Sequence, residues 1–179
     1  MRATGVVRRI DDLGRIVIPK EIRRTMRMRE GDPLEIFTGQ GGEIIFKKYS
    51  MMAELSQFSQ SYADSLYRVS GLHCVVFDSD RVIAFTGSGK KDVIGLSASR
   101  EIEELLHQRA SYFRQYASEK TILPYMHSEV KVVGATPVIA AGDGVGVVAL
   151  VSERDEILND TQKKLLVLTS TLLANHLEL

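Results

Sequence analysis

The sequence predicts an α+β protein of two domains, and three observations carry that expectation. The charge is divided: residues 1–50 hold eleven Lys/Arg against seven Asp/Glu, residues 51–179 twelve against sixteen, although the chain as a whole is neutral. Opposite signs on two halves point to two jobs, one of them facing a polyanion. The first fifty residues read as short strands around one brief helix. Residues 71–179 alternate apolar hairpins with helical periodicity, the pattern of an antiparallel sheet flanked by helices.

Composition narrows the classes further. The hydrophobic fraction of 44% is that of a folded protein. No apolar run approaches the roughly 20 residues that span a bilayer, so no membrane partner is expected. Arg2 is not followed by an apolar h-region, so no secretory signal is visible. Cys74 is the one cysteine and has no internal disulfide partner, which fits a reducing cytoplasm.

The N-terminal elements follow in order. Thr4–Ile10 is β-branched and reads as a strand carrying Arg8 and Arg9. Asp11-Asp12-Leu13-Gly14 is a turn, with Gly14 free to take positive φ. Arg15–Ile18 is a second strand. Pro19 keeps Ile18 extended and presets a helical φ, so a helix is expected from about Pro19 to Arg27, stopped by Gly31-Asp32-Pro33. Leu34–Phe37 and Glu43–Lys47 form a hairpin across four residues that include three glycines.

On the helical wheel Ile22 and Met26 share one side, while Lys20, Arg23, Arg24 and Arg27 share the other within about 100°. From Arg2 to Arg29 nine basic residues stand against three acidic ones. A solvated charged face is the bland alternative. Arginine predominates, however, and its planar fork grips phosphate or the guanine edge with two hydrogen bonds. Double-stranded DNA is therefore the expected partner of Arg8, Arg9, Arg15, Arg23 and Arg24, with Lys20 and Arg27 as further basic surface. Fifty residues of this kind bury little apolar area, so self-association is expected, as a dimer or tetramer. Two-fold symmetry would present the arginines twice along a duplex.

The stretch TGVVRRIDDLGRIVIPKEIRRTMRMREGDPLEIF closely resembles the AbrB-type transition-state regulators, swapped-hairpin DNA-binding proteins of bacteria. The resemblance covers nearly all of residues 1–50. It implies that two chains interleave hairpins into one small β-barrel dimer. It places the DNA-contacting arginines at Arg8, Arg15, Arg23 and Arg24, with a further basic position at Arg9. It also implies binding of low sequence stringency, through shape and flexibility.

Residues 51–70 are expected to form a helical connector. Met52, Leu55, Tyr62, Leu66 and Val69 fall on an a/d heptad frame, with Ser59 in the polar slot. Two readings stand side by side, a coiled-coil-like helix between chains and an amphipathic helix docked on its own domain, and the position between two domains favours the first, a dimer or tetramer helix that carries strain from one domain to the other.

In residues 71–179, His73–Asp78 and Val82–Thr86 read as strands about Ser79-Asp80, and Ser99–Leu106 shows helical periodicity. Ser111–Pro124 is irregular. Lys131–Ala140 and Val145–Val151 form a strong hairpin, and a helix from about Asn159 to Leu177 closes the chain. Thr136-Pro137-Val138-Ile139, a glycine turn, then Gly146–Leu150 resembles the last hairpin of a GAF domain, a sensory module that holds a small molecule between its sheet and the irregular segment. An effector is therefore expected, of unknown identity, and no cofactor. By position, Phe77, Phe85, Tyr112, Phe113, Tyr116 and Tyr125 are candidates to line the pocket, and Arg109 and Arg114 to meet an anionic ligand. Core aromatics and surface arginines are the plainer alternative. Met126-His127-Ser128 sits in a loop, where function concentrates, without an identifiable partner.

Other signals are set aside. Gly87-Ser88-Gly89-Lys90-Lys91 departs from a phosphate loop at Ala84 and Lys91. His73 and Cys74 are adjacent and face opposite sides of a strand. His107, His127 and His176 lack ligand spacing, so no metal site is expected. No nucleophile–base pair stands out, so no catalytic residue is expected and the chain reads as a non-enzyme. The expected function is a cytoplasmic, nucleoid-associated transcription regulator, tuned by a signal at its second domain. The rivals are an antitoxin-like member of the same barrel superfamily, an enzyme built on the second domain, and an architectural DNA-coating protein whose second domain only oligomerises.

Overall fold

The computed structural model describes residues 5–54 and 56–178. The chain forms two compact units, Met1–Tyr49 and Ser50–Leu179.

The first unit has little regular structure. Helix α1 (Lys20–Thr25) starts after Pro19, whose carbonyl accepts from the Arg23 amide at 2.9 Å. The helix is shorter than expected. It ends because Arg27 takes a left-handed φ of 52°, and the Met28 amide returns to the Arg23 carbonyl at 2.7 Å. Strands β1 (Leu34–Thr38) and β2 (Ile44–Lys48) form the expected hairpin, in register from Leu34↔Lys48 to Thr38↔Ile44. The expected strands Thr4–Ile10 and Arg15–Ile18 do not form. Thr4 lies outside the described residues, and the remainder has no ladder partner. Two backbone hydrogen bonds close the turn, Asp11 N–H to the Arg15 carbonyl at 3.1 Å and Gly14 N–H to the Asp11 carbonyl at 3.0 Å. The physical reason is a shortage of partners, since a lone two-stranded hairpin cannot template two more strands by itself. The Ile22–Met26 stripe is not buried either, and Met26 is 52% exposed.

The second unit is an α+β sandwich. Its antiparallel sheet runs in the order β4-β3-β7-β6-β5, with β3 His73–Phe77, β4 Val82–Phe85, β5 Tyr112–Phe113, β6 Lys131–Ala140 and β7 Asp143–Ser152. Strand β5 lies inside the stretch expected to be irregular. It is two residues long, too short to read by period. Alternation along the strands divides the core. Cys74, Val76, Val148 and Leu150 face helices α2 (Met51–Glu54), α3 (Ser56–Ser70) and α6 (Asp160–Leu177), while Val75, Phe77, Val147 and Ala149 face α5 (Arg100–Gln108). A one-turn helix, α4 (Lys90–Val93), occupies the glycine-rich turn after β4.

The caps are local. The Ser99 hydroxyl accepts from the Ile102 amide at 3.3 Å and starts α5. Asn159 and Gln162 form a reciprocal capping box at 2.9 and 3.0 Å that starts α6. Burial pushes the Cys74 thiol pKa well up, with the Asp64 charge adding to it, so this cysteine is inert packing.

The 51–70 segment packs on the sheet of the second unit. Met52, Ser59, Ala63 and Leu66 are all buried in the second unit, and the Gln60 side chain exchanges two hydrogen bonds of 3.2 Å with the Phe85 backbone. This is the docked-helix arrangement. Val69, assigned to the heptad seam, is 69% exposed, and Leu55 lies outside the described residues. Met52 sits where β7 passes closely under it: a Cβ at Gly146 would stand 2.4 Å from the Phe77 carbonyl oxygen and 3.0 Å from Met52. The first of these neighbours is backbone and cannot swing away. Gly146→Ala is expected to cost about 1–3 kcal/mol, read as a lower urea midpoint at unchanged m-value.

Candidate nucleic-acid interface

The basic residues of the first unit lie on three pieces of chain. Arg8 and Arg9 stand on the arm before the turn, Arg15 on the arm after it, and Lys20, Arg23 and Arg24 on α1. All six are exposed. Arg27 follows the helix in its left-handed conformation, and its carbonyl accepts from Lys48 Nζ at 3.2 Å.

Arg15 is held differently from the others. The Asp11 carboxylate accepts from the Leu13 amide at 3.0 Å, the Arg15 amide at 2.8 Å and the Arg15 Nε at 2.8 Å. These bonds hold the Asp11 pKa below the usual carboxylate range, those from Arg15 first. The grip is therefore complete at neutral pH and is lost as pH falls through that lowered value. Among the described residues, no hydrogen bond or ion pair holds the side chains of Arg8, Arg9, Lys20, Arg23 or Arg24. The unit thus offers one pinned arginine beside a set of uncommitted cations. Asp11→Asn keeps an acceptor for the two amides but removes the charge that binds Arg15. It is expected to tighten binding to random duplex and steepen its salt slope by about two phosphates per dimer, one for each freed Arg15, with poorer discrimination among sequences, as titrations at several salt concentrations would show.

Apolar side chains surround these cations. Val7 is 88% exposed, Val17 72%, Leu13 69% and Ile10 62%. Of residues 5–49, only Pro19 is buried.

The second unit holds a cleft of about 230 Å3 on the α5 side of its sheet. Phe85 and Tyr125, two of the pocket candidates, line it together with His73, His127, Glu129 and Glu153. Sequence patterns do not mark the latter four as lining. Only the loop position of His127 hints at it, and that residue takes a left-handed φ of 60°. The other pocket candidates lie elsewhere. Phe77 is fully buried core, Tyr112 packs on the same cluster, and Phe113 packs on the opposite face of the sheet. Tyr116 is 60% exposed. Arg109 caps α5 and meets Asp143 at 3.5 Å in the open. Arg114 is not at the surface but 1% exposed, beside Asp155.

Comparison with known proteins supplies the context. Residues 54–178 match the family model of the stage V sporulation protein T C-terminal, transcription factor, and residues 7–53 match that of antidote-toxin recognition MazE, bacterial antitoxin. The chain is 43% identical to stage V sporulation protein T of Bacillus subtilis (strain 168) over 178 residues, 99% of each. It is 53% identical over 49 residues to the transition state regulatory protein AbrB of the same organism, covering 27% of this chain and 50% of that one. Among solved structures, the GAF domain of an Acinetobacter phosphoenolpyruvate-protein phosphotransferase aligns with a TM-score of 0.55 at 11% identity, over 73% of this chain and 84% of that one, which shows the GAF fold of the second unit. No helix among the described residues is long and apolar enough to cross a membrane.

Proposed function

This chain belongs to the family of stage V sporulation protein T, and from that membership we propose that it regulates transcription in sporulation by binding double-stranded DNA through its N-terminal unit. The GAF-like unit responds to a signal and modulates that binding. Arg8, Arg9, Arg15, Arg23 and Arg24 make the DNA contacts, with Lys20 and Arg27 adding charge. Binding is tolerant of sequence, because exposed arginines on short elements reach phosphates and groove edges without a long helix to fill the major groove.

The observation that carries the reading is that a unit bearing these cations buries only Pro19 among residues 5–49. Its exposed valines, isoleucines and leucine need a cover, and a second copy supplies one by interleaving the two arms. The DNA-binding unit is thus a dimer, and pairing through the second units would make a tetramer. The proposed location is the cytoplasm, at the nucleoid. No enzymatic role is proposed.

The test is a binding titration of the full chain against an A/T-rich and a G/C-rich duplex across a range of salt. The reading requires tight, strongly salt-dependent binding to both. Weak binding without salt dependence would contradict it. The match of residues 7–53 to the antitoxin model favours one further reading, a toxin-binding role for the same unit. A small nuclease retained through purification would support that role.

A further inference from the structure

Helix α1 carries two of the proposed DNA contacts, yet none of its residues is buried within the chain. Packing inside the unit therefore does not fix the direction in which Arg23 and Arg24 point. The turn that ends the helix bears on it instead. The Arg27 amide donates to the Arg24 carbonyl at 3.3 Å and the Met28 amide to the Arg23 carbonyl at 2.7 Å, so the turn closes on the backbone of those two arginines. It depends on the left-handed φ of 52° at Arg27, a conformation that an arginine keeps only where its surroundings hold it.

Lys48, the last residue of β2, supplies such a hold. Its Nζ donates to the Arg27 carbonyl at 3.2 Å and meets Asp32 Oδ2 at 3.4 Å. The same Asp32 oxygen accepts from the Arg29 amide at 2.9 Å, and the Asp32 amide donates to the Arg29 carbonyl at 3.3 Å. The backbone of Lys48 is itself set by pairing with Leu34 in the hairpin. One ammonium thus joins the end of α1, the turn before β1 and the end of β2. A cation there is also favoured by the carbonyls at the C-terminal end of a helix. Lys47 has a different place: it is exposed and lies over the Phe37 ring at 4.5 Å. The Lys48 side chain is 20% exposed and that of Asp32 24%, in a unit that buries only Pro19 among residues 5–49. An isolated ion pair near the surface adds little to stability, so this one matters for where it holds the helix.

We propose that Lys48, with Asp32 as its partner, is a positioning residue for DNA binding. It clamps the end of α1 to the hairpin and so aims Arg23 and Arg24, without touching the duplex itself. This inference rests on the reading of α1 as a DNA-contacting element and names what orients it.

The test measures duplex affinity of the full chain and its variants at one low salt concentration, with melting temperature and sedimentation to check folding and assembly. Lys48→Met should bind about tenfold more weakly while melting and assembling like the parent. Lys48→Arg, which keeps the charge and the donors, should bind within about twofold of the parent. Asp32→Asn separates positioning from plain charge. It removes a negative charge, so electrostatics alone predicts tighter binding, whereas a loosened clamp predicts weaker binding. In a chain that already carries Arg23→Ala and Arg24→Ala, Lys48→Met should cost nothing further, because it acts through those two side chains. Without DNA, hydrogen exchange at the Arg27 and Met28 amides should quicken in Lys48→Met. Tighter binding by Asp32→Asn would overturn the proposal and make Lys48 an ordinary cation of the DNA surface. So would an equal loss from Lys48→Met in both backgrounds, or unchanged exchange at the two amides. Where one of Lys48→Met and Asp32→Asn fails to fold, the other decides. A parent that does not bind duplex removes the regulator reading and this one with it, whereas a parent that binds, with both variants binding as tightly, removes this one alone.

Discussion

Alanine at both Arg23 and Arg24 is expected to weaken duplex binding by about a thousandfold and to flatten its salt dependence by about four phosphates. The magnitude follows from counting. Each arginine that meets DNA is worth about 1–3 kcal/mol. Two substitutions per chain become four in a dimer, so even about 1 kcal/mol apiece gives about 4 kcal/mol. The slope of log K against log salt falls by about 0.9 for each phosphate that is no longer neutralised. Both residues sit in the last turn of α1, exposed, with no ion pair among the described residues. The double variant should therefore fold like the parent. A loss of affinity with an unchanged slope would mean that these side chains read bases and not phosphates. A drop of two in the slope, not four, would mean that one chain acts alone.

Asparagine at both Ile16 and Val17 is expected to separate the N-terminal units of two chains and abolish DNA binding with them. Adjacent residues on an extended chain point to opposite sides, so one of the two enters the shared core whichever way the arm is turned. Ile16 is 41% and Val17 72% exposed in the single unit. Losing the burial of one side chain and placing an amide there costs about 3–5 kcal/mol per chain, and about twice that per dimer. That is the size of a whole domain's stability. Sedimentation of the variant should show the N-terminal association gone, while the far-ultraviolet signal of the second unit persists. Parent-like assembly and DNA affinity would mean that neither residue meets a partner chain.

Sequence periodicity exposes the second unit far better than the first, and the reason is where each core lies. Strands β3, β6 and β7 alternate between two faces that the same chain covers, so their patterns are complete within it. The capping box at Asn159 and the cap at Ser99 are local and equally plain. The arms at residues 5–19 carry an equally clear β-branched pattern, yet no strand forms there. A strand pattern states that a residue wants a partner and not which chain supplies it. The 51–70 segment is ambiguous for a related cause. Ser59, Ala63 and Leu66 serve a docked helix as well as a coiled coil, and in the single chain all three are buried within the second unit.

The candidate sites are legible to different depths. The arginine set can be read directly because charge needs no tertiary context to be counted. The pocket residues cannot, because aromatic character does not say which face of a sheet a ring occupies. Phe77, Tyr112 and Phe113 are distributed over both faces, and only Phe85 and Tyr125 reach the cleft. Charge alone marks Arg114 in the sequence, but its burial beside Asp155 is something no spacing rule reveals.

The most direct measurement is native mass spectrometry of the purified full chain, alone and with a short A/T-rich duplex. The account predicts chains in even number throughout, two or four per duplex, with no single chain on DNA. A stable monomer that carries the duplex by itself would contradict it.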